Sequence, residues 1–199
     1  MKKAMLYIHG KGGCALEADH YKRICAGYDV IGLDYRACTP WEANGELASA
    51  FDALSAEYER VALVANSIGA FFAMNALQDR AVERAFFISP IVDMEKLICD
   101  MMDWAGINGQ ELQEKGEIGT AFGETLSWKY LCYVREHPIV WRIPTHILYG
   151  DADNLTDIET VRGFSERVGA TLTVMHGGEH WFHTPEQMDF LDAWLKRLL

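Results

Sequence analysis

The chain has 199 residues, half of them hydrophobic and 12% aromatic, which supplies one compact domain with a core and argues against disorder. Eighteen lysines and arginines against 29 aspartates and glutamates leave a net charge of −11. Phosphate backbones and anionic membrane surfaces attract basic patches, and this balance, with no lysine or arginine cluster, argues against both as partners.

The first apolar run predicts a strand at Met5–His9, which leads directly into the glycine-rich turn His9-Gly10-Lys11-Gly12-Gly13. The run is too short for the core of a signal peptide and far too short to span a bilayer. A second strand is expected at Val30–Asp34, and Leu47, Phe51, Leu54 and Tyr58 then recur at helical spacing. The strand expected at Val61–Ala65 enters Ala65-Asn66-Ser67-Ile68-Gly69-Ala70, followed by a helix rich in Phe71, Phe72, Met74 and Leu77. Ala85–Ser89 reads as the next strand.

From Ile91 to Arg142 the alternation stops. No strand is expected there, only helical patches such as Met94, Leu97, Ile98 and Met101, and Leu126, Tyr130 and Val134. About 50 residues exceed by far the ~2–6 of an ordinary connection. Residues 91–142 are therefore expected to form a helical lid inserted into a single domain of residues 1–199, lying over the carboxyl edge of the sheet and covering Ser67. Its one weakly structured stretch is expected at Gly106–Gly123. Its methionines and aromatics, Met101 and Trp128 among them, suit either the lid's own core or an apolar substrate pocket.

Strands resume at His146–Tyr149 and Leu172–Met175, separated by a helix with Ile158, Val161, Phe164 and Val168 on one face. Capping boxes are expected at Thr156 with Glu159 and at Thr184 with Gln187, the latter with Pro185 at the first helical position. The last helix should bury Met188, Leu191, Leu195 and Leu198. The strands are nearly continuous apolar runs, the pattern of a parallel sheet covered on both faces. Strand–helix alternation of this kind predicts a three-layer α/β/α domain around a mostly parallel six-stranded sheet.

The segment Ala65–Ala70 has the form of a nucleophile elbow, small-x-Ser-x-Gly between a strand and a helix. So tight a turn needs small flanking residues and lifts the Ser67 hydroxyl above the sheet, while the following helix aims its first N–H groups at developing negative charge. A serine hydroxyl needs a base, and the base an orienting acid. Candidates stand beyond the last two strands, in Gly150-Asp151-Ala152-Asp153-Asn154 and in His176-Gly177-Gly178-Glu179-His180-Trp181-Phe182-His183. The N–H of Ile68, together with one from the Gly10–Gly13 turn, would form an oxyanion hole.

HGKGG at residues 9–13, ANSIGA at 65–70, YGDAD at 149–153 and GGEHWF at 177–182 together make the sequence resemble the α/β-hydrolase superfamily, in a small serine-hydrolase form lacking the first two strands. The resemblance covers nearly all the chain outside the lid and departs from the usual pattern at Ala65, where the family more often has glycine. It implies a Ser-Asp-His chain order with Ser67 as nucleophile, His180 as base and Asp153 as acid, Asp151 being the alternative. It implies Lys11 N–H as the second oxyanion donor, or Gly12 if the turn is shifted. Gly10, Gly12, Met101, Trp128 and Trp181 would then face substrate. The implied activity is hydrolysis of a small, apolar-acyl carboxylic ester through an acyl-enzyme, needing neither metal nor organic cofactor. A thioesterase, an amidase of the same mechanism, or a non-catalytic ligand-binding relative are the alternatives.

Other readings of these residues fit less well. His176, His180 and His183 lack partner cysteines or carboxylates at metal-ligand spacing. Asp151, Asp153 and Asp157 resemble a calcium loop in spacing, but Leu155 and Thr156 stand at its ligand and glycine positions. The Gly10–Gly13 turn matches neither nucleotide-binding glycine pattern. His9 is expected to support the turn from below, and Cys14 to be a buried small side chain. The five cysteines are dispersed, without a CxxC pair, as reduced thiols of a cytoplasmic protein are.

Overall fold

The computed structural model describes residues 2–199. Strand β1 (Lys3–Ile8) is followed by the glycine turn, a 3₁₀ turn (Ala15–Glu17) and α1 (Ala18–Lys22). Next come β2 (Asp29–Gly32), α2 (Pro40–Glu57), β3 (Arg60–Asn66), α3 (Ile68–Leu77) and β4 (Ala85–Ile88). The chain then forms α4 (Met94–Ala105), α5 (Gly109–Lys115), β5 (Glu117–Gly119), β6 (Thr125–Ser127) and α6 (Trp128–Glu136). It ends with β7 (Thr145–Gly150), α7 (Ile158–Val168), β8 (Thr171–Met175) and α8 (Pro185–Leu198). Two compact units result: a main unit up to Val92 and again over Val140–Leu199, and an inserted unit, Asp93–Ile139.

In the main unit six strands form one sheet in the order β2-β1-β3-β4-β7-β8. Every pairing is parallel, so the sheet is wholly rather than mostly parallel. Successive side chains of each strand point to opposite faces. Met5 and Tyr7 of β1, Ala62 and Val64 of β3, Phe86 of β4 and Leu148 of β7 therefore share one face, packed with Tyr21 of α1 and Leu191, Trp194 and Leu195 of α8. The alternate residues Leu6, Ile8, Leu63 and Ala65 are equally buried, on the side of α2 and α3. The edge strand β8 departs from the expectation of two covered faces: only Met175 among its residues is buried. With a single neighbour, β7, it is half solvated.

The order reverses at β1, with β2 on one side and β3 on the other. A crevice opens outside the carboxyl ends of parallel strands where successive connections diverge, and β1 and β3 deliver the glycine turn and Ser67 there. The capping box at Thr184 forms as expected, its side chain and that of Gln187 bonding each other's backbone. The other needs correction. Helix α7 is capped by Asp157, which accepts from Thr160 N at 2.8 Å. Thr156 is engaged elsewhere, its N–H donating to Asp153 and its carbonyl accepting from Tyr149 Oη. On α8, Trp194 takes the buried place expected of Met188 and Leu198, which are partly buried.

The inserted unit is not purely helical. Strands β5 and β6 form an antiparallel hairpin pairing Ile118 with Leu126. Each strand has three residues, too few for an alternation to register in the sequence. The turn is closed by Thr120, whose N–H donates to the Glu124 carbonyl at 2.8 Å and whose Oγ1 accepts from Glu124 N. The stretch Gly106–Gly123 is likewise ordered, containing α5 with its Asn108 side-chain cap. Helix α4 starts on an Asp93 cap and ends at Gly106 in the left-handed conformation (φ 65°). Among the described residues no helix is long and apolar enough to cross a membrane.

Candidate active site

Ser67 joins β3 to α3 with φ 51° and ψ −122°, a conformation few non-glycine residues adopt. Its surroundings hold it there. Its N–H donates to the Ile88 carbonyl at 3.0 Å, and its own carbonyl accepts from Ala70 and Ile91, both at 3.1 Å. The glycine two residues on has a specific cause. A Cβ on Gly69 would collide with the His9 carbonyl oxygen and stand 2.7 Å from that of Ile8, so only glycine lets α3 start against the end of β1.

Ser67 Oγ lies 2.8 Å from Nε2 of His180, and Nδ1 of His180 lies 2.7 Å from Asp153 Oδ2. A carboxylate can only accept, which assigns the proton of the neutral ring to Nδ1 and leaves Nε2 as acceptor for the serine hydroxyl. The Asp153 side chain is fully buried and that of His180 is 18% exposed. The second carboxylate oxygen accepts from Leu155 N at 2.8 Å and Thr156 N at 3.1 Å, which fixes the acid's orientation. Both loops are laced together beneath it: Ala152 N–H donates to the Gly178 carbonyl at 2.9 Å. A Cβ on Gly150 would strike the Gly178 backbone, so these two glycines allow the strand ends to touch.

Asp151, the alternative acid, points elsewhere. Its Oδ2 is 2.7 Å from His176 Nδ1 and its Oδ1 accepts from Gly177 N at 2.6 Å. His176 is 99% exposed at the side chain. The Asp151 carboxylate raises the pKa of His176 above its ordinary value, and the hydrogen bonds from His176 and Gly177 lower that of Asp151. His183 stacks on Trp181 with ring centroids 4.6 Å apart, so the three histidines of this stretch have three different neighbours.

The glycine turn closes through Gly13 N–H to the Gly10 carbonyl at 3.1 Å, with Gly12 at φ 76°. His9 lies buried below it, its Nδ1 2.8 Å from the Gly10 carbonyl oxygen and its ring stacked on Tyr35 at 4.3 Å. A Cβ on Gly10 would stand 3.3 Å from Ser67 Cβ, so bare backbone passes close to the serine. Lys11 follows in this turn, and Ile68 opens α3, where a helix leaves its first N–H groups without internal partners. Cys14, just beyond, is exposed rather than buried, because it precedes the 3₁₀ turn at the surface.

Ser67 and His180 line a cavity of about 740 Å³, with Gly10, Lys11, Gly12 and Trp181. Ile88, Leu155, Phe182, Met188 and Leu191 give it an apolar side. Met101 and Trp128 belong to the inserted unit, on α4 and at the first residue of α6. Five lining residues, Tyr7, Glu17, His20, Tyr21 and Asn66, are not among those the sequence singles out. Asn66 Nδ2 donates to Tyr7 Oη at 3.0 Å, and Tyr7 Oη donates to a Glu17 carboxylate oxygen. Asn66 sits inside the elbow motif, but nothing in the spacing of Tyr7 and Glu17 signals that they meet it.

No family model matches the chain, and no curated protein does. Solved structures do. Est1E from Butyrivibrio proteoclasticus is similar over 99% of this chain and 87% of its own, with TM-score 0.77 and 17% identity. A putative hydrolase from Agrobacterium vitis S4 is similar over 99% and 88%, with TM-score 0.76 and 19% identity. Alpha/beta hydrolase domain-containing protein 10 from mouse is similar over 98% and 88%, with TM-score 0.76 and 16% identity. Identities this low speak for architecture. With its parallel sheet, its strained serine between β3 and α3 and this likeness along nearly its whole length, the chain has the fold of the α/β-hydrolase superfamily.

Proposed function

We propose that this protein is a serine hydrolase that cleaves small carboxylic esters through an acyl-enzyme. The observation that carries the reading is the unbroken relay from Ser67 Oγ through His180 to Asp153, with contacts of 2.8 and 2.7 Å. Ser67 Oγ attacks the ester carbonyl carbon while His180 Nε2 takes its proton. Asp153 holds the ring in the required tautomer and stabilises the imidazolium that forms. The carbonyl oxygen, now an alkoxide, is met by the N–H groups of Ile68 and Lys11. Collapse expels the alcohol, which receives the proton from His180. Water, deprotonated by the same nitrogen, then attacks the acyl-enzyme, releasing the acid and restoring Ser67.

The apolar side of the cavity, with Ile88, Phe182 and Met188, supports an acyl or alcohol group with hydrocarbon character. The five cysteines are all free thiols, which supports a reducing, cytoplasmic setting. The Pyrococcus furiosus protein of similar fold is described as an esterase, in keeping with ester substrates here.

The test is labelling by a fluorophosphonate probe together with turnover of p-nitrophenyl esters. Labelling and hydrolysis are expected in the wild type, and Ser67→Ala should lose both, with turnover down about 10⁴-fold or more. A protein that binds esters but neither reacts with the probe nor turns over would be the non-catalytic relative instead.

A further inference from the structure

The polar wall of the cavity is built around a carboxylate. Glu17 lines the same space as Ser67 and His180. Its Oε2 accepts the hydroxyl of Tyr7, a residue with no exposed surface, anchored in the middle of the sheet on β1. Burial, Tyr21 and Glu17 all raise the pKa of that phenol, which keeps it protonated and donating. Asn66, the residue before Ser67, donates to the same phenol at 3.0 Å and so connects the carboxylate to the elbow. The backbone is shaped to admit it. A Cβ on Gly13 would stand 2.9 Å from each Glu17 oxygen and would push the carboxylate aside, so the glycine leaves it where it lies.

Tyr7 occupies one acceptor site of Glu17, and a carboxylate offers about four. Glu17 is exposed where it lines the cavity, and the Tyr7 hydroxyl holds its carboxylate in one place, so a donor cation meets it without the cost of ordering a mobile side chain. From this juxtaposition of Glu17, Tyr7, Asn66 and Gly13 beside Ser67, we propose that the cavity selects substrates bearing a cationic, hydrogen-bond-donating group, such as an ammonium, with Glu17 as its anchor. The proposal rests on the hydrolase reading and names its substrate class: esters with an ammonium on the acyl or alcohol half, their hydrocarbon part lying against Ile88, Phe182 and Met188. Lys11 lines the cavity too, so an anionic substrate is the competing outcome.

The experiment uses esters of equal chain length ending in an ammonium, a methyl or a carboxylate, the terminus being carried on the acyl half in one series and on the alcohol half in another. In the wild type the ammonium ester should show the highest kcat/KM and the carboxylate ester the lowest in at least one series, and that series identifies the half that carries the cation. Glu17→Gln keeps the shape and can still accept from Tyr7. It should reduce the ammonium-to-methyl ratio about tenfold, as expected for loss of a hydrogen bond to a charged group. The ratio in the wild type should also shrink as salt rises, a measurement that holds even if the variant does not fold. Equal rates for the three termini in both series, a preference for the carboxylate, or an ammonium advantage that survives Glu17→Gln would overturn the assignment. If no ester is turned over, calorimetric titration of Ser67→Ala with an alkylammonium and the matching alkylcarboxylate reads the same wall without turnover. Tighter binding of the ammonium would uphold the proposal while the hydrolase reading fails, and equal or reversed binding would overturn it.

Discussion

Two aspartate–histidine pairs hang from the ends of the same two strands, and both close at 2.7 Å. Asp153 and His180 are withdrawn from water, the acid entirely, and the far side of the imidazole meets Ser67 Oγ. Asp151 and His176 stand in solvent, the imidazole 99% exposed. Contact distance does not separate them. Burial and the third partner do. In water the exposed pair is screened and its side chains lose entropy on pairing, so it contributes little. The buried acid has its second oxygen held by two backbone N–H groups, which makes its orientation a fixed property of the fold.

The largest expected consequence of this difference is in turnover. Asp153→Asn can donate to the ring as well as accept from it and so permits the wrong tautomer, with Nε2 protonated toward Ser67. A loss of about 10⁴ in kcat is expected at neutral pH, measured on any ester the wild type cleaves. Asp151→Asn, two residues away, should stay within about twofold of wild type, as expected when a solvent-exposed pair is broken. A large loss for Asp151→Asn with near-normal Asp153→Asn would reverse the assignment of the two pairs.

A smaller effect tests the common support of both pairs. Gly150→Ala places a methyl group against the Gly178 backbone, which cannot rotate away as a side chain could. Separating the ends of β7 and β8 should cost about 3 kcal/mol of stability, the upper part of the usual range for overpacking, read as a lower denaturation midpoint. Turnover should fall with it, because the Asp153 and His180 loops are joined across this contact by the Ala152 to Gly178 hydrogen bond. An unchanged midpoint would mean that the two loops have slack to part.

Much of this was legible from the chain alone, for reasons that differ by residue. Buried parallel strands write themselves as apolar runs, so the six strands were found to within about two residues at their ends. Ser67 was legible because an elbow needs small neighbours, and Gly69 meets the β1 carbonyls directly. Asp153 could not be separated from Asp151 by residue type: both are aspartates after one strand, and the choice lies in which way a loop turns. Here Thr156 decides, bonding back to Asp153 and thereby ceding the α7 cap to Asp157. The β5–β6 hairpin was invisible because a single apolar pair, Ile118 and Leu126, gives no period to detect. Glu17 was invisible for a different reason. Its meaning comes from Tyr7, ten residues earlier and across the glycine turn, and only the fold joins them.

The finest test of the comparison is titration of the exposed pair. Asp151 holds the His176 pKa above its ordinary 6.5, and the hydrogen bonds to Asp151 hold the carboxyl below its ordinary 3.8. The signs define a window. The contribution of His176 to stability is complete below its unfolded value and fades as pH rises through the raised folded value. The contribution of Asp151 is complete above its unfolded value and fades as pH falls through the lowered folded one. The pair is therefore at full strength between those ordinary values, and it weakens as pH rises above 6.5 through the raised His176 value or falls below 3.8 through the lowered Asp151 value. Following the His176 ring protons by NMR should show a midpoint above that of a free histidine. In Asp151→Asn the midpoint should move down to the ordinary value, since no other group raises it. Added salt should lower the wild-type midpoint and leave that of the variant nearly unmoved, because an exposed ion pair is screened within about a Debye length. A His176 midpoint indifferent to both the substitution and salt would mean that the pair does not persist in solution, and the contrast with Asp153 and His180 would then be one of existence rather than of burial.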